Sequence, residues 1–88
     1  MAAYRLFVKA SAAKEIERLA TKKLRRGIVA RIRAHASNPR PDGCVKLSGA
    51  DKYRIRHGAY RILYRIEDDR LIVIVVRVAH RKAAYRQV

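Results

Sequence analysis

Between Tyr53 and Tyr85 the chain reads YRIRHGAYRILYRIEDDRLIVIVVRVAHRKAAY, and this stretch limits the fold more than any other. Tyr53–His57 and Tyr60–Ile66 flank Gly58-Ala59, and Leu71–Val78 follows Glu67-Asp68-Asp69-Arg70. Val, Ile and Tyr dominate the three runs, and turn formers separate them at hairpin spacing, so they predict three β-strands. Gly58-Ala59 suits a two-residue type II′ turn, in which glycine takes positive φ at the first central position.

That turn fixes the facing residues: His57 with Tyr60, Arg56 with Arg61, Ile55 with Ile62 and Arg54 with Leu63. Alternation then places Tyr53, Ile55, Ile62, Tyr64 and Ile66 on one face, the predicted core face. Arg54, Arg56 and Arg61 share the other. The third strand carries one charge in its body, Arg77. A three-residue second turn sets it beside Arg61, whereas a two-residue turn at Asp68-Asp69 aims it at the core, which is costly without a partner. The first register is expected. Like charges opposite one another destabilise a strand pair. Either the arginines splay into water, or the face is shaped for a polyanion whose phosphate oxygens neutralise it.

The formal net charge of +15 points the same way. Such an excess repels itself and implies nucleic acid, an anionic membrane or an acidic protein as partner. At 88 residues, half of them apolar, the chain is expected to form a single domain spanning residues 1–88 with a modest core. No apolar run approaches the roughly 18 residues of a membrane span. The start, MAAYRLFVKA, lacks a secretory apolar region. One cysteine, Cys44, excludes an intramolecular disulfide and agrees with a reducing cytoplasm, the expected location.

Upstream, Tyr4–Val8 alternates and predicts a first strand. Ser11 is a candidate N-cap for a helix to about Ala20, with Ala12, Ile16, Leu19 and Ala20 on one face. Thr21 is a candidate cap for a second helix ending near Ser37, in which Leu24, Ile28 and Ile32 repeat at i+4. Gly27 weakens that helix by roughly 1 kcal/mol relative to alanine, which packing must offset. Arg18, Lys22, Lys23, Arg25, Arg26, Arg31 and Arg33 make the helical hairpin basic. Of these Lys22, Lys23, Arg25, Arg26 and Arg33, together with Arg77, are candidate nucleic-acid contacts; a solvated helix face explains the helical ones equally well. Asn38-Pro39 stops the helix. A loop to Lys52 follows, with Val45-Lys46-Leu47 extended within it. Arg81–Arg86 forms a last helical turn or a tail. The expected fold is α+β, β-α-α-β-β-β, with a helical hairpin on a small, mostly antiparallel sheet.

The three histidines are scattered and the single cysteine adds no ligand spacing, so no metal site is expected. There is no phosphate-binding glycine loop and no dinucleotide fingerprint, and no cofactor is expected. Glu67, Asp68 and Asp69 read as turn formers. What remains is a set of arginines, histidine and tyrosine, groups that can cleave RNA. The 2′-hydroxyl needs a base, the phosphorane needs cations and the 5′-oxygen needs a proton as it leaves. Arg54, Arg56, Arg61 and Arg81 are candidates for holding phosphate, and His80 or Tyr85 for moving protons. A tyrosine acting as base needs nearby cations to favour its phenolate, because its free pKa is about 10.

Tyr53-Arg-Ile-Arg56, Gly58-Ala-Tyr-Arg61-Ile-Leu-Tyr64, the acidic turn, Leu71–Val78 and Ala79-His80-Arg81-Lys-Ala-Ala-Tyr85-Arg86 together resemble the RelE branch of the RelE/ParE toxin superfamily. Lys46-Leu47-Ser48-Gly49 also fits the segment that precedes that strand in the family. The resemblance covers nearly the whole chain. It implies the toxin of a type II toxin–antitoxin pair that enters the ribosomal A site and cuts mRNA there, without a metal. The 2′-hydroxyl attacks the adjacent phosphate, leaving a 2′,3′-cyclic phosphate and a 5′-hydroxyl. By resemblance Tyr85 is the general base, Arg81 the leaving-group acid or charge stabiliser, and Arg61 a phosphate clamp. Arg54 and Arg56 stand where well-known members have lysine. Arginine stays protonated, so these two stabilise charge but exchange no proton. His80 is a further candidate unless it faces the core.

The resemblance also implies an acidic, RelB-like antitoxin, with DNA contacted mainly through the complex, and no membrane partner. Two alternatives remain: a ParE-like inhibitor of DNA gyrase on the same fold, and a non-enzymatic RNA- or ribosome-binding protein whose charge serves counterion release.

Overall fold

The computed structural model describes residues 3–47 and 52–82. The elements are β1 (Arg5–Val8), α1 (Ala10–Glu17), α2 (Lys22–Ala34), β2 (Val45–Lys46), β3 (Lys52–His57), β4 (Tyr60–Glu67) and β5 (Ile72–His80), with a single 3₁₀ turn at Asp68–Arg70. They form one five-stranded sheet in the order β1-β5-β4-β3-β2. Only β1 and β5 run parallel. The architecture is α+β, two helices packed on a mostly antiparallel sheet, as the sequence pattern predicts.

The β3–β4 hairpin has the anticipated register from His57–Tyr60 to Tyr53–Tyr64. Gly58 takes φ 60° while Ala59 keeps negative φ, the combination a type II′ turn requires. Ile55, Ile62, Tyr64 and Ile66 are buried with Val73, Val75 and Val78, against Ala12, Leu19, Ile28 and Ile32 of the helical hairpin. Each such aliphatic side chain contributes about 1.5–3 kcal/mol on burial.

The turn between β4 and β5 differs from expectation. Glu67 pairs with Ile72, so four residues connect the strands, not three. Continued without interruption, that register would set Arg77 opposite Ile62 and into the core. A bulge intervenes: Tyr64 pairs with Val75 but Leu63 with Arg77, and Val76 is the extra residue. Arg77 therefore reaches the predicted face, diagonal to Arg61, through a bulge and not through turn length. Leu71 ends the 3₁₀ turn in the left-handed region at φ 52°, and its carbonyl accepts the Arg5 N–H at 2.8 Å.

Helix boundaries also shift. Lys9, not Ser11, is the N-cap of α1, and no side chain caps it. The Lys9 N–H donates to the Val75 carbonyl at 2.9 Å, so the chain passes from strand pairing straight into the helix. The helix stops at Glu17, short of Ala20. Arg25 reaches back from α2, its Nη1 donating to the Glu17 and Leu19 carbonyls at 3.4 and 3.3 Å. Thr21 does cap α2, its Oγ1 accepting the Leu24 N–H at 3.1 Å. Regular helix ends at Ala34, and i→i+3 bonds tighten the chain through Ser37. Gly27 has a packing reason. The His57 ring lies against it so closely that a β-carbon there would stand 2.8 Å from Nε2.

The acidic turn does more than turn. Asp68 accepts both Nη groups of Arg40, at 3.0 and 2.7 Å, and the Tyr4 hydroxyl at 2.7 Å. Arg40 Nε donates to the Tyr53 hydroxyl, and Tyr64 donates to the Pro39 carbonyl. This network ties the proline loop to one end of the sheet. The Arg40 guanidinium holds the Asp68 carboxyl down to about 2.

Candidate nucleic-acid interface

Among the described residues, the helices cover one face of the sheet and no element packs on the other, the open face. Pairing across β3, β4 and β5 lays the open face out in rows. Arg56, Arg61 and Ala79 form one; Arg54, Leu63 and Arg77 the next; Lys52, Arg65 and Ile74 the third. Six of these nine positions are cationic, and none is acidic. Each residue of a strand rises 3.3–3.4 Å, so successive rows lie about 7 Å apart.

Arg61 lies on the middle strand of the first row and is 8% exposed. Its Nη1 donates to the Tyr60 carbonyl at 3.3 Å, while its buried Nε has no hydrogen-bond partner. The opposite residue is Arg56, so the guanidinium gains no neutralising charge from its cross-strand neighbour. A buried donor left unsatisfied costs about 1–3 kcal/mol, more when charged, which an anion on this face would remove. Leu63, Ala79, Leu47 and Val76 make a small apolar floor among the cations. Arg77 lies against Glu15 of α1, Nε to Oε2 3.7 Å. The other Glu15 oxygen accepts the Val78 N–H at 2.8 Å, closing the edge of β5 beyond the end of β1.

The remaining candidates divide by face. Arg81 is exposed at the end of β5, its N–H donating to the Ala59 carbonyl at 2.7 Å. Tyr85 lies outside the described residues. His80 pairs with Tyr60, their rings edge-to-face at 5.7 Å, and Tyr60 packs against the main core. His80 is thus on the helix-covered face, away from the arginines, and the proton-moving role considered for it has no geometric support. Lys22, Lys23, Arg26 and Arg33 are exposed on α2, on the far side of the sheet from the open face. Arg25 engages its Nη1 with the carbonyls at the end of α1.

All three histidines lie on the covered side. His57 touches Gly27. His35 is buried against Tyr64, with its Nδ1 2.7 Å from the Arg31 carbonyl, and burial lowers its pKa. Among the described residues, then, the open face carries arginine and lysine but no histidine. It can bind and stabilise phosphate charge; no arginine on it can serve as a useful general base. No group of three or more His, Cys, Asp or Glu among the described residues could hold a metal ion. Lys52 and Arg65 were missed by the sequence reading, though strict alternation from Arg54 and Leu63 places them on this face.

The sequence matches the family described as the ParE toxin of type II toxin–antitoxin systems, parDE, over residues 6–85. It is 45% identical over 38 residues to toxin RelG of Mycobacterium tuberculosis; the match spans 43% of this chain and 44% of that protein, under half of each. The fold resembles the toxin–antitoxin complex RelBE2 of the same organism, with TM-score 0.78 and 25% identity over 89% of this chain and 98% of the other. It also resembles the isolated E. coli RelE toxin, with TM-score 0.75 and 28% identity over 89% and 84%.

Proposed function

This chain belongs to the ParE toxin family of type II toxin–antitoxin systems, within the RelE/ParE superfamily, and from that premise we propose that it is a ribosome-dependent mRNA endonuclease. The observation that carries the reading is the Arg56–Arg61 pair beside Arg54 and Arg77 on the sheet face opposite the helices. Opposed arginines weaken a sheet, and a phosphodiester backbone reverses that penalty. The likeness to RelE-type toxins, whose family implies mRNA as substrate, favours RNA over other polyanions.

Cleavage proceeds by attack of the 2′-hydroxyl oxygen on the adjacent phosphorus. A new P–O bond forms, the 5′-oxygen bond breaks, and a 2′,3′-cyclic phosphate and a 5′-hydroxyl result. Arg61 grips the phosphate, with Arg54 and Arg56 spreading the charge of the phosphorane. Tyr85 takes the 2′-hydroxyl proton as its phenolate, and Arg81 stabilises the leaving 5′-oxygen, which takes its proton from water. The arginines supply the positive charge a metal would bring, so the toxin's own chemistry draws on no metal ion. The partner in the resting state is an acidic, RelB-like antitoxin, in keeping with the RelBE2 complex. Mapping breaks by primer extension on ribosome-bound mRNA tests the proposal. Breaks at the A-site codon with wild type, absent with Tyr85→Phe, support it.

The family description favours one second reading, inhibition of DNA gyrase. Folded, antitoxin-free protein that leaves mRNA intact but blocks gyrase supercoiling would replace the first reading with this one.

A further inference from the structure

The open face does not end at the arginine rows. Where α1 passes the edge of β5, a groove of about 500 Å³ runs between helix and sheet. Lys9, Lys14 and Arg18 line it from the helix side, and Lys52, Arg65 and Arg77 from the sheet. Leu63 and Val76 line it too, and Glu15 is the one carboxylate among the described residues that line it. Leu63 also stands between Arg54 and Arg77 in the middle row, which puts one wall of the groove a single row away from the Arg56–Arg61 pair. Stepping along β4, Arg61, Leu63 and Arg65 advance about 7 Å each time, comparable to successive phosphates of an extended single strand.

We propose that this groove is a second phosphate-binding channel, which takes the backbone of the RNA nucleotides flanking the scissile phosphate through Lys14 and Arg18 of α1 opposite Arg65 of β4. The inference rests on the nuclease reading for its scissile phosphate, but the channel itself is a binding site. Glu15 shapes it. By accepting the Val78 N–H, its carboxylate occupies the edge donor that an added peptide strand would need. By lying against Arg77, it holds that guanidinium at the groove wall. The edge is thus closed to strand addition, while Lys14 and Arg18 remain exposed to a polyanion.

The test measures binding of a short single-stranded RNA carrying 2′-O-methyl groups, which blocks the nucleophile, by anisotropy over a range of salt. Wild type is compared with Lys14→Glu/Arg18→Glu and with Arg5→Glu/Arg70→Glu, two pairs that each remove four units of charge at exposed positions. Lys14→Gln/Arg18→Gln provides a milder variant should reversal impair folding. Each lost phosphate contact reduces the slope of log K against log salt by about 0.7. The groove pair is expected to flatten the slope by about 1.4 and weaken binding about tenfold or more, with half that loss of affinity for the glutamine pair. The Arg5/Arg70 pair is expected to keep the wild-type slope. Equal weakening by both reversed pairs would overturn the channel, leaving net charge alone as the cause. Wild-type RNA binding with loss of antitoxin co-purification in the groove pair would also overturn it, assigning the groove to protein. A slope change in protein that cuts no ribosome-bound mRNA would uphold the channel and sink the nuclease reading; cleavage without a slope change would do the reverse.

Discussion

The two faces of one sheet have opposite chemistry. On the covered face Ile55, Ile62 and Val78 are dry and packed against helices, and His35, His57 and His80 lie among aromatic and helical neighbours. On the open face the same three strands present Arg54, Arg56, Arg61, Arg65 and Arg77 around a small apolar floor. Period-two alternation makes this division possible, since neighbouring residues of a strand can be selected for unrelated tasks. The covered face supplies the stability that the crowded cations weaken. The two faces are therefore expected to respond differently to mutation.

The largest effect is expected on the open face. Arg61→Ala should reduce ribosome-dependent cleavage by about 10²-fold or more, in the range seen when a preorganised charge stabiliser is removed, while circular dichroism stays native. Retained cleavage would break the link between this face and catalysis. On the covered face, Gly27→Ala should cost about 1 kcal/mol in denaturant unfolding, because the His57 ring must move from its place. In a His57→Ala background the same substitution should stabilise by about 1 kcal/mol, the intrinsic preference of helix for alanine. A cycle with no coupling would show that His57 yields freely.

A smaller effect separates the two kinds of titrating group. His35 has a lowered pKa from burial, so below the usual 6.5 the unfolded chain binds more protons than the fold does. Melting temperature should thus decline as pH falls past 6.5, and His35→Phe should remove that part of the decline. Asp68 has the depressed carboxyl; its contribution is present above 3.8 and is lost as pH falls towards about 2. Asp68→Asn should remove only this later loss. Smallest of all, Arg70→Ala breaks an exposed pair with Glu67 and should change stability by no more than about 0.5 kcal/mol.

Much of this was legible in the sequence. The β3–β4 register follows from a two-residue turn, a local device that fixes every pair behind it. Thr21 was readable as a cap because its partner is three residues away. The misses concern distant partners. Arg40 and Asp68 are 28 residues apart, and Glu15 meets Val78 across 63. Nothing in the local pattern of Arg25 distinguishes a helix-capping arginine from a solvated one. The bulge at Val76 was hidden for a different reason: a run of Ile and Val satisfies either register, and only the burial cost of Arg77 selects between them.

By itself, the sequence determined the β3–β4 hairpin, the two helical faces and the crowding of arginine on alternate strand positions, because turn chemistry and periodicity act over a few residues. The tertiary structure decided which cations meet. Packing α1 along the edge of β5 brought Lys14, Glu15 and Arg18 to the face that holds Arg65 and Arg77, and the bulge returned Arg77 to that face. Those outcomes depend on burying apolar surface and satisfying edge hydrogen bonds across the whole fold, balances that no single segment contains.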